Sequence, residues 1–350
     1  MEQQRNVSVG TMKTTHQKNL YTIACIVLLA LIIPALGCFC RHERLDVDGT
    51  TRRYLLHVPA QLPEGPVPLV LALHQFSDTP QGMRRMTGFD ALAEREGFIV
   101  VYPKGRWRAW RSECNADGSD HRFLQKLIDT LIEHYPIDES RIYMTGASAG
   151  AMMIQAFACH SDRLAAIAPV MGSLQEGVEA GCPMPRNLPV LVVHGVEDPV
   201  IPYDGGRAGG PHETYFLSAE ATVDFWARAA GCDETPTVEI VASSDQEGPV
   251  TRRFVYECPA PLEVLLYAVG GCGHSWPGHM SCYPKRIVGP SVSEPDASEF
   301  IWEFFKRHAK LPGVTFPLKN QLTRVLPATQ KKTTKTEQKM GLPPMRAQRT

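Results

Sequence analysis

Apolar residues in this chain gather into short unbroken runs, and the stretches between them carry apolar positions three and four apart. Residues 67–74 (Val-Pro-Leu-Val-Leu-Ala-Leu-His), 97–103, 165–171 and 189–194 are apolar almost throughout. A strand covered on both faces has no polar side to alternate with, so these runs predict buried strands of a parallel sheet. Residues 52–58 alternate in part and predict a strand near the start of the domain; residues 237–242, Thr251–Tyr256 and 262–269 predict three more. In residues 119–135, Phe123, Leu124, Leu127, Ile128, Leu131 and Ile132 form one face of an amphipathic helix that ends before Pro136. Helices are also predicted over Phe89–Glu96, over residues 218–230 with Val223, Phe225, Trp226 and Ala229 mostly inward, and over 295–308. In the last, Pro295 suits the first turn, Phe300, Ile301, Phe304 and Phe305 make the apolar face, and Lys306, Arg307 and His308 suit the C-terminal end. Strands alternating with helices predict an α/β fold, a mostly parallel central sheet with helices on both faces, in one domain over residues 45–312.

One junction in this pattern carries chemistry. A β-prone run at residues 141–145 enters Gly146-Ala147-Ser148-Ala149-Gly150 and leaves as a helix-forming run over 149–159. Strand, sharp turn and helix around G-x-S-x-G is the context of a nucleophile elbow, and Ser148 is the expected nucleophile. Glycine is needed two positions before and after the serine because strand and helix pass too close for side chains. The helix that follows directs its free N–H groups and positive dipole end toward a developing oxyanion.

Both ends differ from this body. Arg5, Lys13 and Lys18 precede an uncharged apolar run from Leu20 to Leu36, so residues 1–40 read as an export signal or membrane anchor. Ala35-Leu36-Gly37-Cys38 resembles a lipobox, with Cys38 as the residue that would carry lipid and Ala35 standing where leucine is usual. Residues 313–350 are rich in Lys, Thr, Gln, Arg and Pro and predict a disordered basic tail. The formal net charge of −1 gives no reason to expect nucleic acid as a partner. Ten cysteines in an exported chain point to disulfides rather than metal, with Cys232–Cys258 the expected pair and Cys272–Cys282 a brace for the loop between them.

A serine nucleophile needs a base, and the base needs an acid to hold it. Asp198, in His194-Gly195-Val196-Glu197-Asp198-Pro199, follows a buried strand on the loop where open α/β sheets place their sites, with Glu197 as fallback. His274, in Gly-Cys-Gly-His-Ser-Trp-Pro-Gly, is the expected base, and the order Ser148, Asp198, His274 is that of hydrolytic α/β folds. Oxyanion donors are expected at the amides of Phe76, two residues beyond His74, and Ala149. Trp107, Trp110, Tyr203 and Trp276 are candidates for a substrate-binding wall facing a sugar or phenolic ring.

Taken with Leu73-His74, Thr87-Gly88-Phe89-Asp90-Ala91-Leu92-Ala93, residues 96–103, Pro202-Tyr203, Gly273-His274-Ser275-Trp276-Pro277-Gly278 and Asp296-Ala297-Ser298-Glu299, residues 52–308 resemble extracellular esterases of the polyhydroxybutyrate depolymerase and feruloyl esterase type. The resemblance implies an α/β-hydrolase fold, secretion, a Ser148, Asp198, His274 triad and no metal or cofactor. It implies an ester substrate: feruloyl or acetyl esters of polysaccharide, with a polyester as alternative; a non-catalytic surface-binding protein of the same fold is the second alternative, supported by Gln75 alone. The chain departs from the pattern at Gln75, where glycine is usual after the histidine.

Overall fold

The computed structural model describes residues 42–112, 115–183, 187–208, 214–241, 249–281 and 283–310. Ten of its strands build one sheet: β1 (Glu43–Val47), β2 (Thr50–His57), β3 (Val67–Leu73), β4 (Ile99–Pro103), β5 (Ile137–Ala147), β6 (Ala166–Val170), β7 (Val190–Gly195), β10 (Thr237–Val241), β11 (Thr251–Tyr256) and β12 (Val264–Val269). A small hairpin, β8 (Gly206–Arg207) with β9 (Tyr215–Phe216), stands apart. The order across the sheet is β1-β2-β4-β3-β5-β6-β7-β12-β11-β10. From β4 to β12 all pairings are parallel, and an antiparallel pair closes each edge. The unbroken apolar runs are the parallel centre. All seven residues of β3 are buried, with Leu69, Leu71 and Leu73 packing into one apolar layer and Val70 and Ala72 into the other.

Helices cover both faces. One layer receives α3 (Ser119–His134), α4 (Ala149–Ala158) and α6 (Ala219–Ala230) through Phe123, Leu127, Phe157, Val223 and Trp226. The other receives α1 (Pro80–Thr87), α2 (Phe89–Glu96) and α8 (Ala297–Lys306) through Met83, Phe89, Leu92, Ile301, Phe304 and Phe305. Two short helices, α5 (Val178–Gly181) and α7 (Lys285–Val288), lie in connections.

β1 and α1 extend the elements expected from the sequence. β1 is an edge strand whose polar residues leave little hydrophobic signal, and α1 is set by a cap, Thr79 Oγ1 accepting from the Gly82 amide at 3.1 Å with Pro80 at the first position. Helix α8 starts later than Pro295. Asp296 caps it, accepting from the Ser298 amide at 2.9 Å, so Pro295 precedes the helix.

Among the described residues there are two disulfides, Cys232–Cys258 as expected and Cys159–Cys182 in addition. Cys272 is a free, buried thiol rather than the partner of Cys282, and Cys282 lies outside the described residues. The leader with Cys38 and the basic tail are also outside them. Among the described residues no helix is long and apolar enough to cross a membrane.

Candidate active site

Ser148 joins β5 to α4 with φ 53° and ψ −115°, a conformation that side chains other than glycine's adopt only under constraint. The constraint comes from two close approaches. A Cβ on Gly146 would lie 2.6 Å from the Gly150 carbonyl carbon, and one on Gly150 would lie 2.3 Å from the Leu73 carbonyl oxygen. Strand, helix and the end of β3 therefore meet around the serine, whose own amide donates to Val170 O at 2.9 Å.

Asp198 and His274 arrive from the neighbouring parallel strands β7 and β12, in register at Gly195 and Val269. Their loops are tied together where the Glu197 amide donates to Cys272 O at 2.9 Å. Asp198 is buried. Its Oδ2 accepts from His274 Nδ1 at 2.7 Å, and its Oδ1 accepts from the amides of Val200 and Ile201 at 2.8 and 2.9 Å. A carboxylate only accepts, so Nδ1 is the nitrogen that donates to it, and Nε2 is the one left to face the serine. Glu197 is exposed and its side chain is not bonded to His274.

His194 lies 3.6 Å from the same carboxylate and donates through Nε2 to Ile201 O at 2.9 Å. Burial pushes its pKa down, which keeps it neutral beside the carboxylate. Ser148 Oγ and His274 are not hydrogen-bonded to each other among the described residues, a looseness common in hydrolases without substrate.

Beyond β3, the expected oxyanion segment is held from behind. His74 Nδ1 donates to Gln75 O at 2.7 Å, His74 Nε2 accepts from the Gly105 amide at 3.0 Å, and Trp110 Nε1 donates to His74 O at 2.8 Å. The Gln75–Phe76 peptide is trans, so anchoring its carbonyl on His74 turns the Phe76 N–H the opposite way. Neither that amide nor the amide of Ala149 has a hydrogen-bond partner among the described residues. Gln75 does not need the left-handed region that would favour glycine; Ser77 adopts it instead, at φ 63°.

The aromatic wall is corrected at two positions. Trp276 is 1% exposed, donates to Ser298 Oγ at 3.0 Å and packs edge-on against Phe89. Trp110 is buried over His74. Both indole N–H groups found interior partners, and both rings are buried in the fold rather than exposed as a wall. Tyr203 is half-buried, with its hydroxyl on Glu220 Oε1 at 2.9 Å, whereas Trp107 is 90% exposed. The positioning contacts of His74 went unread in the sequence, where a histidine closing a buried strand was their one signal. Among the described residues no cluster of three His, Cys, Asp or Glu side chains is placed to hold a metal ion.

The sequence model of the family described as "Esterase PHB depolymerase" matches residues 52–182. The chain is 31% identical over 279 residues to the putative esterase NocK of Nocardia uniformis subsp. tsuyamanensis, covering 74% of this chain and 80% of that protein. It is 32% identical over 158 residues to the bifunctional acetylxylan esterase/xylanase XynS20E of Neocallimastix patriciarum, covering 45% of this chain and 23% of that protein. Among solved structures, an acetyl xylan esterase from Aspergillus awamori shares the fold with a TM-score of 0.53 at 18% identity, covering 76% of this chain and 99% of that one. With an α/β-hydrolase sheet and a serine elbow already in view, these matches place the chain in the esterase PHB depolymerase family of carboxylic ester hydrolases.

Proposed function

We propose that the chain hydrolyses acetyl or feruloyl esters of polysaccharide through an acyl-enzyme on Ser148. His274 Nε2 takes the Ser148 hydroxyl proton as Oγ attacks the ester carbonyl, and Asp198 holds the imidazolium that forms. The amides of Phe76 and Ala149 receive the oxyanion. Collapse breaks the ester C–O bond, and His274 returns the proton to the leaving sugar hydroxyl. Water then attacks the acyl-enzyme by the same route, releasing the acid and Ser148. The 2.7 Å contact of Asp198 with His274, at the end of the sheet that carries the strained serine, supports this reading best. The polysaccharide substrate draws on the acetylxylan-directed relatives, and the two disulfides favour an oxidising compartment, reached by export through residues 1–40 with lipid on Cys38.

A polyester substrate is the second reading, favoured by the exposed rings of Phe76 and Trp107. The full chain, beside Ser148→Ala, is treated with a fluorophosphonate probe and assayed on p-nitrophenyl acetate, methyl ferulate, acetylated xylan and polyhydroxybutyrate film. Labelling and turnover that vanish in the variant, with release of acetate from xylan, are expected. A folded wild type that neither labels nor turns over sinks the triad and leaves a binding protein of this fold.

A further inference from the structure

Between β4 and α3 runs Lys104-Gly105-Arg106-Trp107-Arg108-Ala109-Trp110-Arg111, a stretch with four cations, two tryptophans and no acidic residue. Its backbone is fastened at both ends. The Lys104 amide donates to Arg53 O at 2.9 Å, the Gly105 amide to His74 Nε2 at 3.0 Å and the Arg111 amide to Asp120 Oδ2 at 2.8 Å, while Arg108 O accepts from the Ser77 amide at 2.8 Å. Two of these bonds reach the segment that carries Phe76, and β3 just before it touches the Ser148 elbow through Gly150. The loop is thus built onto the rim of the proposed catalytic site.

Four of its side chains face water. Arg106, Trp107, Arg108 and Arg111 are exposed, and among the described residues none of the four cations has a carboxylate partner. Arg108 Nε donates to the Asp78 carbonyl at 3.2 Å, and the Asp78 carboxylate is engaged within its own turn, on the Thr79 amide and Gln75 Nε2. Asp120, the nearest buried carboxylate, is committed to Arg52 and the Arg111 amide. Trp107 and Arg108 both hold positive φ, 55° and 61°. Two successive bulky residues in the left-handed region are unusual, and here they carry an exposed indole flanked in sequence by two arginines. A solvated turn needs neither that conformation nor the tryptophan.

We infer that this loop is a subsite for an acidic sugar of the polymer being hydrolysed: Trp107 offers a flat apolar face to a pyranose ring, and Arg106 and Arg108 pair with its carboxylate. The inference rests on the esterase reading for its meaning, since a ligand held here lies beside the elbow, and it names carboxylated polysaccharide as the preferred substrate class. Stacking gives a sugar its orientation and paired guanidiniums select the anion, so both features are needed together.

The test uses the full chain as wild type, Trp107→Ala and the double variant Arg106→Gln/Arg108→Gln, each checked by thermal melting. Retardation is measured by affinity electrophoresis in gels holding polygalacturonate, dextran sulfate, neutral xylan or duplex DNA. Polygalacturonate should retard wild type most, and both variants should weaken that retardation about tenfold, as expected for two rim ion pairs or one stacked ring. Acetylated pectin should be preferred to acetylated neutral xylan, and the ratio of the two kcat/KM values should fall in both variants and at 0.3 M salt. Equal retardation by dextran sulfate, DNA and polygalacturonate, indifferent to Trp107→Ala, overturns the proposal in favour of a non-specific cationic surface. Fluorophosphonate labelling separates the failures. Labelled protein without polygalacturonate retardation loses the subsite alone, and retardation without labelling loses the esterase reading alone.

Discussion

Substituting Gly150 by alanine tests whether one close approach sets the geometry of the proposed oxyanion site. The added methyl would stand 2.3 Å from Leu73 O, 2.7 Å from Leu73 C and 2.8 Å from His74 O, all backbone atoms with nowhere to turn. Relief to an ordinary 3.4 Å contact moves α4 away from β3 by about 1.1 Å. Ala149 rides on α4 and Phe76 follows β3, so the two amides separate by a similar distance. Oxyanion donors act over roughly 2.7–3.1 Å, and loss of one costs about 10²–10³ in kcat, or ~2.7–4 kcal/mol. The expected result for Gly150→Ala is therefore a kcat on p-nitrophenyl acetate lower by about a hundredfold, with KM little changed and a folded protein by circular dichroism. A folded variant that keeps kcat within about threefold of wild type would falsify the claim that the approach of Gly150 to β3 sets the spacing of the Phe76 and Ala149 amides.

Removing the Cys232–Cys258 bond with a double serine substitution releases a 26-residue separation and should cost about 3 kcal/mol, a fall of roughly 10 °C in Tm by calorimetry. Burial, then the charge of His160, pushes the pKa of His121 down to about 4, and burial lowers those of His74 and His194. Below about pH 6.5 the unfolded chain gains protons that these folded histidines refuse. Stability should therefore fall as pH drops from 6.5 toward 4, and His121→Gln should flatten that slope in thermal melts; an unchanged slope removes His121 from the account. Burial pushes the Cys272 thiol up to about 11, so peptide mapping should find iodoacetamide on Cys272 only after unfolding.

The sheet was legible because strands buried on both faces announce themselves, as Val67–Leu73 and Val190–Gly195 do. Ser148, Asp198 and His274 could be nominated because each follows such a strand. What the pattern hid was partnership. Trp107, Trp110 and Trp276 look alike in sequence, and only the acceptors at His74 O and Ser298 Oγ separate the two buried rings from the exposed one. Cys159 and Cys182 lie in segments with no periodic relation, so their pairing needed three dimensions. A whole-chain charge of −1 likewise conceals a local excess of four cations over eight residues.

Helix α8 closes the apolar face behind β5, the strand that leads to Ser148. Tyr143 donates to His308 O at 2.6 Å across 165 residues and its ring stacks on Phe305, while Ser298 Oγ donates to Thr87 O across 211. During synthesis the sheet must therefore wait, with Tyr143, Ala168 and Val193 uncovered on that side, until the final helix has been made. A chain that stops short of α8 would carry the complete set of Ser148, Asp198 and His274 and still present an oily flank to its neighbours. Completion of the fold on that side therefore depends on the last described helix, which docks on a strand made far earlier in the chain.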